Sequence, residues 1–437
     1  MREMKDSGIA WIGEIPKEWK ICRLKDNTTI IRGGSPRPIE NFISDEGYNW
    51  IKISDTTKGC KYINQTQVRI KKSGLSKTRF VHKNDLILTN SMSFGNPYIL
   101  NIDGCIHDGW VAITIRKNIN KEFLYYMLLS SVCETQFKQQ VDGGVVQNLN
   151  IEKIGVTTIC LPNISEQQRI ATFLDEKCKE IDALIDLQEE MITELQAYKQ
   201  SVISEAVTKG LNPKVTMKDS GVEWIGDIPE HWEVKRLKFS CEFFGRIGFR
   251  GYKSEDLVNK DEGAITLSPS NMQNMGMSYT KCTYLSWDKY YESPEIMIAP
   301  SDVLVVKTGS TYGKCSFVET IPRESTINPQ IVVLKNHKDN SKFIAYSFQT
   351  PFAKSFIDTT VVGGTIPTIS QEKMRNYHFV FPSLSEQKEI VDYLDTQCTR
   401  IDSLITLKQA KIESLKEYKK SVIYEYVTGK KEVPATV

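Results

Sequence analysis

Residues 4–25 read MKDSGIAWIGEIPKEWKICRLK, and residues 217–238 read MKDSGVEWIGDIPEHWEVKRLK. Trp11, Pro16, Trp19 and Arg23 return as Trp224, Pro229, Trp232 and Arg236. A second pair closes each copy. LPNISEQQRIATFLDEKCKEIDALI from Leu161 is echoed by FPSLSEQKEIVDYLDTQCTRIDSLI from Phe381, and the echo runs on to Val207-Thr208 and Val427-Thr428. Between these ends the copies differ almost throughout, apart from short matches such as Gly143-Gly144 against Gly363-Gly364. An internal repeat is the first thing to settle, because each copy is one structural unit. Here each unit is a variable body between constant ends.

The constant tails read as helices. In the first, Ser165 followed by Gln168 is expected to form an N-cap with its capping box, and Lys209-Gly210 supplies a stop; in the second, Lys388 stands at the box position and predicts a weaker cap. Apolar residues alternate at spacings of four and three through Leu174, Cys178, Ile181, Ile185, Ile192, Leu195, Val202 and Ala206, and again through Leu394, Cys398, Ile401, Ile405, Ile412, Leu415, Val422 and Tyr426. That is a coiled-coil seam. Lys408 and Lys419, the latter matching Lys199, interrupt it and are expected to help fix the register. About 44 residues of helix reach roughly 66 Å at ~1.5 Å per residue. A lone helix of this kind exposes an apolar stripe, whereas two similar helices bury each other's. An intramolecular antiparallel coiled coil is the predicted solution.

The variable bodies alternate apolar and polar residues with Gly, Pro and Asn punctuation, which predicts strands near 84–88, 111–115, 303–307 and 331–334. Helices are expected to begin near Lys121 and Lys342, so each body is of mixed α+β class. Over 437 residues, 40% hydrophobic and 25% charged, the chain has the profile of a globular protein. The polar start, residues 1–8, does not read as a secretory signal, and no apolar run approaches membrane-spanning length. Ten cysteines without a C-x-x-C pair argue against a zinc knuckle and suggest reduced thiols.

Net charge is only +2, but it is segregated: residues 17–83 hold fifteen Lys or Arg against six Asp or Glu, whereas residues 165–206 hold four against ten. A basic module precedes an acidic helical one, a pattern that matters more than the average for nucleic-acid contact.

Two polar, glycine-containing turns follow predicted strands, LTNSMSFGN over 88–96 and VKTGSTYGK over 306–314. Their hydroxyl, amide and ammonium groups suit phosphates or base edges, with Asn favouring adenine and Lys favouring guanine. Asn90, Ser91, Ser93 and Asn96 are the candidates in the first, and Lys307, Thr308, Ser310, Thr311 and Lys314 in the second. IRGGSPRP over 31–38 and FFGRIGFRGYK over 243–253 interleave basic residues with glycine, offering Arg32, Arg37, Arg246, Arg250 and Lys253 to phosphates. Trp11, Trp19, Trp224 and Trp232 lie in the constant segment, so a packing role fits them better than stacking on DNA.

Enzyme signals fail one by one. The stretch 309–314 resembles a phosphate loop but has three residues between its glycines, and Cys315 replaces the required Ser or Thr. Asn96-Pro97-Tyr98 lacks the second proline of an adenine methyltransferase turn, and Glu233-Val234-Lys235 is matched by Lys20, Ile21 and Cys22 in the other copy. The five histidines show no metal-ligand spacing, so no catalytic residue and no metal site is expected.

Taken together, the doubled MKDSG-x-x-WIG-x-IP-x-x-W, the loops ending G-S-x-x-G-K or S-x-S-x-G-N, and the doubled P-x-x-S-E-Q entry to a long helix resemble the specificity subunits of Type I restriction-modification systems across nearly the whole chain. One departure is Met92 where the second copy has Gly309. The resemblance implies two target-recognition domains held by an antiparallel coiled coil: 1–160 with its constant segment 4–25, the helix 161–210, 211–380 with its constant segment 217–238, the helix 381–430 and a tail 431–437. It also implies a cytoplasmic, non-catalytic reader of a bipartite, asymmetric double-stranded DNA target, with half-sites on the order of one helical turn apart. The implied partners are two modification subunits that bind S-adenosylmethionine and methylate adenine, and restriction subunits that use ATP and Mg. No cofactor is expected on this chain.

Overall fold

The computed structural model describes residues 2–57, 59–91, 94–141, 149–223, 225–361 and 366–434, with the side chain of Phe249 set aside. The chain forms two compact units, residues 1–189 with 410–437, and residues 190–409.

The first unit runs β1 (Met4–Asp6), β2 (Glu14–Pro16), β3 (Lys20–Arg23), α1 (Leu24–Asn27), β4 (Thr28–Arg32), β5 (Ile43–Ser44), β6 (Tyr48–Ile51), β7 (Tyr62–Ile63), β8 (Val68–Ile70), β9 (Arg79–Val81), β10 (Leu86–Thr89), β11 (Pro97–Leu100), β12 (Gly104–Ile106), β13 (Trp110–Ile115), α2 (Lys121–Leu129), α3 (Ser131–Gln140), α4 (Ile151–Val156) and β14 (Thr158–Leu161), and then enters α5 (Ile164–Lys209). Its two main sheets have the orders β4-β13-β10-β11-β7 and β5-β8-β6-β12-β9. Ile51, Ile106, Val81, Ile87, Leu100 and Trp110, drawn from both sheets, share one buried cluster. Leu86, Leu88, Val111 and Ile113 join a second with Phe123, Leu124, Met127, Leu174 and Ile423 from the helices. The first sheet is thus covered on both faces, which explains why β10 reads LILT without alternation.

The second unit runs β15 (Met217–Asp219), β16 (Asp227–Pro229), β17 (Glu233–Arg236), β18 (Glu242–Gly245), β19 (Leu257–Val258), β20 (Gly263–Leu267), β21 (Met272–Gln273), β22 (Gly276–Met277), β23 (Thr283–Ser286), α6 (Trp287–Tyr291), β24 (Val303–Val306), β25 (Cys315–Phe317), β26 (Ser325–Ile327), β27 (Ile331–Lys335), α7 (Ser341–Phe348), α8 (Pro351–Thr360), α9 (Gln371–Arg375), β28 (His378–Phe381) and α10 (Leu384–Val427). Its sheets, β18-β27-β24-β25 and β19-β23-β20-β26, repeat the first unit's plan, down to the parallel pair β20 with β26 that answers β6 with β12. The mixed α+β class expected of each body holds, although β10 begins at Leu86 because Asn84 takes a φ of 72° in the preceding turn.

The constant ends close each unit on itself. β3 pairs antiparallel with β14, and β17 with β28. Trp19 is 1% exposed, and its Nε1–H donates to Glu166 Oε2 at 3.2 Å; Trp232 is fully buried and donates to Glu386 Oε1 at 3.1 Å. Packing onto the helix entry is therefore what these two tryptophans do. Trp11 is 38% exposed, and Trp224 lies outside the described residues. Gln167 and Gln387, both fully buried, are bonded alike: Oε1 accepts from Asn120 or Asn340 N–H, and Nε2 donates to Pro162 or Pro382 O.

The expected caps are corrected. Asn163, not Ser165, caps α5, its Oδ1 accepting Glu166 N–H at 2.9 Å, and Ser383 caps α10 with Glu386 N–H at 3.3 Å. Both helices thus start two residues earlier than the Ser165 and Lys388 positions imply, and the second cap bond is the longer of the two. Gly210, φ 76°, ends α5 as expected.

In the first unit α5 packs on the end of α10: the Phe173 and Tyr426 ring centroids are 4.4 Å apart, and Lys419 bonds Asp182 at 2.7 Å. In the second, Lys408 Nζ donates to Met191 Sδ at 3.4 Å and Lys199 bonds Asp402 at 2.7 Å. In both, positions rise along α5 as they fall along α10, so the pairing is antiparallel. Leu174, Ile181, Leu394, Ile401, Ile412 and Leu415 of the seam are buried, while Ile185, Ile192, Leu195 and Ile405 are half-buried.

Candidate nucleic-acid interface

In the first unit three segments meet beyond the ends of β4, β10 and β12. Gly33 N–H donates to Trp110 O at 2.9 Å, Gly34 N–H to Ile106 O at 3.2 Å, and Asn90 N–H to Gly109 O at 3.0 Å. Gly33 has to be glycine, since a Cβ there stands 2.1 Å from His107 O. Arg32 Nε–H donates to Asp108 O at 3.0 Å, Ser35 Oγ–H to Asp108 Oδ1 at 2.7 Å, and Arg37 Nη2 lies 3.5 Å from Asp108 Oδ2. The Ser35 hydroxyl holds the Asp108 carboxyl below the usual carboxylate range. Arg37 is 81% exposed, so this pair is weak. Beside it, burial holds the His107 imidazole below its ordinary value, and its Nδ1 accepts Gly109 N–H at 2.8 Å.

The second unit builds the same cluster. Lys307 N–H donates to Gln330 O at 2.8 Å, Lys307 O accepts Ile369 N–H at 2.8 Å, and Gly309 N–H donates to Pro367 O at 3.1 Å. Gly95 N–H to Thr89 O at 2.7 Å matches Gly313 N–H to Val306 O at 2.8 Å, and Thr89 N–H to Asn96 O at 3.0 Å matches Val306 N–H to Lys314 O at 2.9 Å. Both glycines take positive φ, 83° and 78°, and press on a helix: an added Cβ meets Phe137 Cδ2 at 2.7 Å and Ile357 Cγ2 at 3.1 Å. The two turns expected from sequence are therefore structural equivalents. Met92 and Ser93 lie outside the described residues, as do Gly143-Gly144 and Gly363-Gly364.

The candidates separate by exposure. Ser310 and Thr311 are exposed, and Ser91, Asn96, Lys307, Thr308 and Lys314 are half-buried at the rim. Lys253 is 82% exposed with Glu255 at 3.6 Å. Three expectations are corrected. Arg246 is 5% exposed and spends its guanidinium on Ile327 O, Arg250 O and Thr326 Oγ1, holding its own loop instead of a phosphate. Arg250 pairs with Glu295 at 3.4 Å. Asn90 is 3% exposed, with its Oδ1 buried and without a partner among the described residues, so it lies beneath the surface of the cluster. Ser35, His107, Asp108, Gln330 and Gln371 were not singled out. His107-Asp108-Gly109 carries a turn signal in sequence, whereas nothing local marks Gln371.

A family model for the type I restriction modification DNA specificity domain matches residues 16–197 and again 229–417. The chain belongs to that family. The type I restriction enzyme MjaVIII specificity subunit of Methanocaldococcus jannaschii is 23% identical over 424 residues, covering 95% of this chain and 93% of its own. The EcoKI specificity subunit of Escherichia coli is 20% identical over 397 residues, covering 87% and 82%. Among solved structures, a chain of a type I R-M system aligns at a TM-score of 0.72 with 17% identity over 95% of this chain and 99% of that one. The HsdS subunit from Thermoanaerobacter tengcongensis aligns at 0.51 with 16% identity over 95% and 98%. Each of the two specificity domains matched contains one loop cluster described above. The role of this specificity chain in its restriction-modification system is DNA recognition, and it is non-catalytic. Among the described residues no group of His, Cys, Asp or Glu is placed to hold a metal, and no helix is long and apolar enough to cross a membrane.

Proposed function

We propose that this chain reads a two-part, asymmetric double-stranded DNA target, one half per unit, and brings two modification subunits, with restriction subunits where the system has them, to that target. The observation that carries the proposal is the pair of equivalent loop clusters lined by different side chains: Arg32, Arg37, Asn96 and Asp108 in one, Lys307, Ser310, Thr311 and Lys314 in the other. Equivalent scaffolds with unlike surfaces suit unlike sequences. Rim cations grip phosphates and set orientation, and polar side chains inside the rim discriminate bases.

Two modification subunits are favoured by a repeated outer feature. Leu184 and Leu187 are 48% and 47% exposed on α5, and their counterparts Leu404 and Leu407 are 40% and 65% exposed on α10. Exposed apolar residues recurring at matching positions suit two copies of one partner. S-adenosylmethionine then belongs to the modification subunits and ATP with Mg to the restriction subunits, all in the cytoplasm.

The test is single-molecule mapping of N6-methyladenine in cells that express this chain with its modification partner, against cells lacking only this chain. A two-part motif with a fixed gap that depends on the chain is the expected outcome. No motif from a soluble, active complex sinks the proposal.

A further inference from the structure

The second unit's loop cluster contains two cations, Lys307 and Lys314, that have no partner among the described residues, and of these Lys307 is the one desolvated and set beside Gly245. Arg246 is bonded to backbone, Arg250 to Glu295, and Lys253 lies beside Glu255. Lys307, in contrast, has no hydrogen bond from its ammonium and no carboxylate within 4.0 Å among the described residues. It is half-buried, and burial alone holds its pKa below the ordinary lysine value. A desolvated ammonium without a partner costs stability, so a ligand-binding role is the natural reason to keep it.

Its backbone is pinned on both sides, N–H to Gln330 O and O from Ile369 N–H, each at 2.8 Å. The side chain reaches over Gly245 at the end of β18, where an ideal Cβ would lie 3.7 Å from Lys307 Nζ. The same point is 3.5 Å from Gln371 Oε1. Gln371 Nε2–H is committed to Phe243 O, which orients the amide and leaves Oε1 as the acceptor facing the cluster. A donor and an acceptor thus stand side by side over one bare glycine.

We infer that Lys307 and Gln371 read one G·C pair in the half-site taken by the second unit, Lys307 donating to guanine O6 and N7 and Gln371 Oε1 accepting from cytosine N4–H. The inference rests on the proposed function above and deepens it. In the major groove a G·C pair shows two acceptors followed by a donor, the complement of this couple. A phosphate presents only acceptors and is opposed by Gln371 Oε1. Gly245 matters because a side chain there would fill the place the base edge takes. The first unit holds the buried Asn90 at the position of Lys307, so the G·C preference belongs to the second half-site alone.

The experiment maps methylation in cells carrying the full chain with its modification partner, comparing the unaltered chain with Lys307→Met, Lys307→Arg and Gln371→Leu. Lys307→Met is expected to make one G·C position of one half-site degenerate, bringing sites with A·T there to within about tenfold of the original target. The other half-site stays as it was. Lys307→Arg keeps guanine, because Arg satisfies the same two acceptors. Should Lys307→Met not fold, Gln371→Leu has to loosen the same pair. An unchanged motif, degeneracy at an A·T pair, or a uniform loss at all sites with a salt slope lower by about one overturns the inference, the last being the mark of a phosphate contact. A chain that yields no two-part motif before any substitution defeats the proposed function instead.

Discussion

Lys419 Nζ lies 2.7 Å from each carboxylate oxygen of Asp182, joining α10 to α5 within the first unit. The counterparts Lys199 and Asp402 make the same two-pronged contact in the second, with the helices exchanged. Each lysine interrupts an apolar seam and finds its carboxylate only in the antiparallel register. Asp182 is 45% exposed, so the pair is worth about 0.5–1 kcal/mol, and its larger effect is on which register forms. Asp182→Lys is expected to lower the melting temperature by a few degrees, and the double reversal Asp182→Lys with Lys419→Asp to recover most of it. A double-mutant cycle with no coupling would contradict this.

Gln387 is a stronger pin. It is fully buried, accepts Asn340 N–H at 2.8 Å and donates to Asp339 Oδ1 and Pro382 O at 2.9 Å. Gln387→Ala strands these groups and opens a void, for an expected loss of about 2–4 kcal/mol by chemical denaturation. Gln387→Glu should do no better, since it sets a second carboxylate against Asp339.

Gly95→Ala combines a φ of 83° with a Cβ 2.7 Å from the Phe137 ring. A cost of about 2–3 kcal/mol is expected, together with weaker binding through the first half-site, because the displaced turn carries Asn96. Gly8→Ala is the control. Its φ is 72° with no atom within 4 Å of the added Cβ, so only the backbone cost of roughly 1 kcal/mol remains.

His107 and His337 are both held below the ordinary histidine value, in each case chiefly by burial. A group whose folded pKa is depressed binds protons first in the unfolded chain. Stability is therefore expected to fall as pH drops below about 6.5, the value of an unfolded histidine. His337 Nδ1 is buried without a hydrogen-bond partner among the described residues, so His337→Leu should flatten the decline measured by melting between pH 7 and 5. An unaltered slope would count against this source of it.

The repeat, the seam and the tryptophan-containing ends were legible because each is written twice or with a period, and duplication separates signal from accident. The loop clusters were legible as turns, since Gly95 and Gly313 each need positive φ at the same hydrogen-bonded position. What each polar residue does there was not. Arg246 and Arg32 look alike in sequence, yet the acceptor that claims Arg246 is Ile327 O, 81 residues away. The helix caps were misplaced by two residues because Asn163 and Ser383 compete with Ser165 and Ser385 for the same role, and only the path of the entering strand decides. Gln371 gains its meaning from Gly245, far from it in the chain, so no local pattern announces it.

Exchanging residues 27–150 for the corresponding body of another family member is expected to change one half-site of the methylated motif and leave the other intact. The cut points fall where the constant frame takes over: Asn27 ends α1, and Asn150 caps α4 with its Oδ1 accepting Lys153 N–H at 2.8 Å. An incoming body therefore has to bring Asn, Asp, Ser or Thr to position 150, or lose about 1 kcal/mol. It also has to answer Asp175 of α5, which accepts Tyr126 O–H at 2.6 Å and pairs with Lys61 from the body. In the second unit the matching Asp395 takes its cation from Lys342 on α7, so the carboxylate accepts a lysine from either place. A chimera that keeps Tyr126 and supplies one such lysine should fold and methylate a new first half-site with the old second one. If both halves change, recognition is not divided between the units, and the two loop clusters do not act independently.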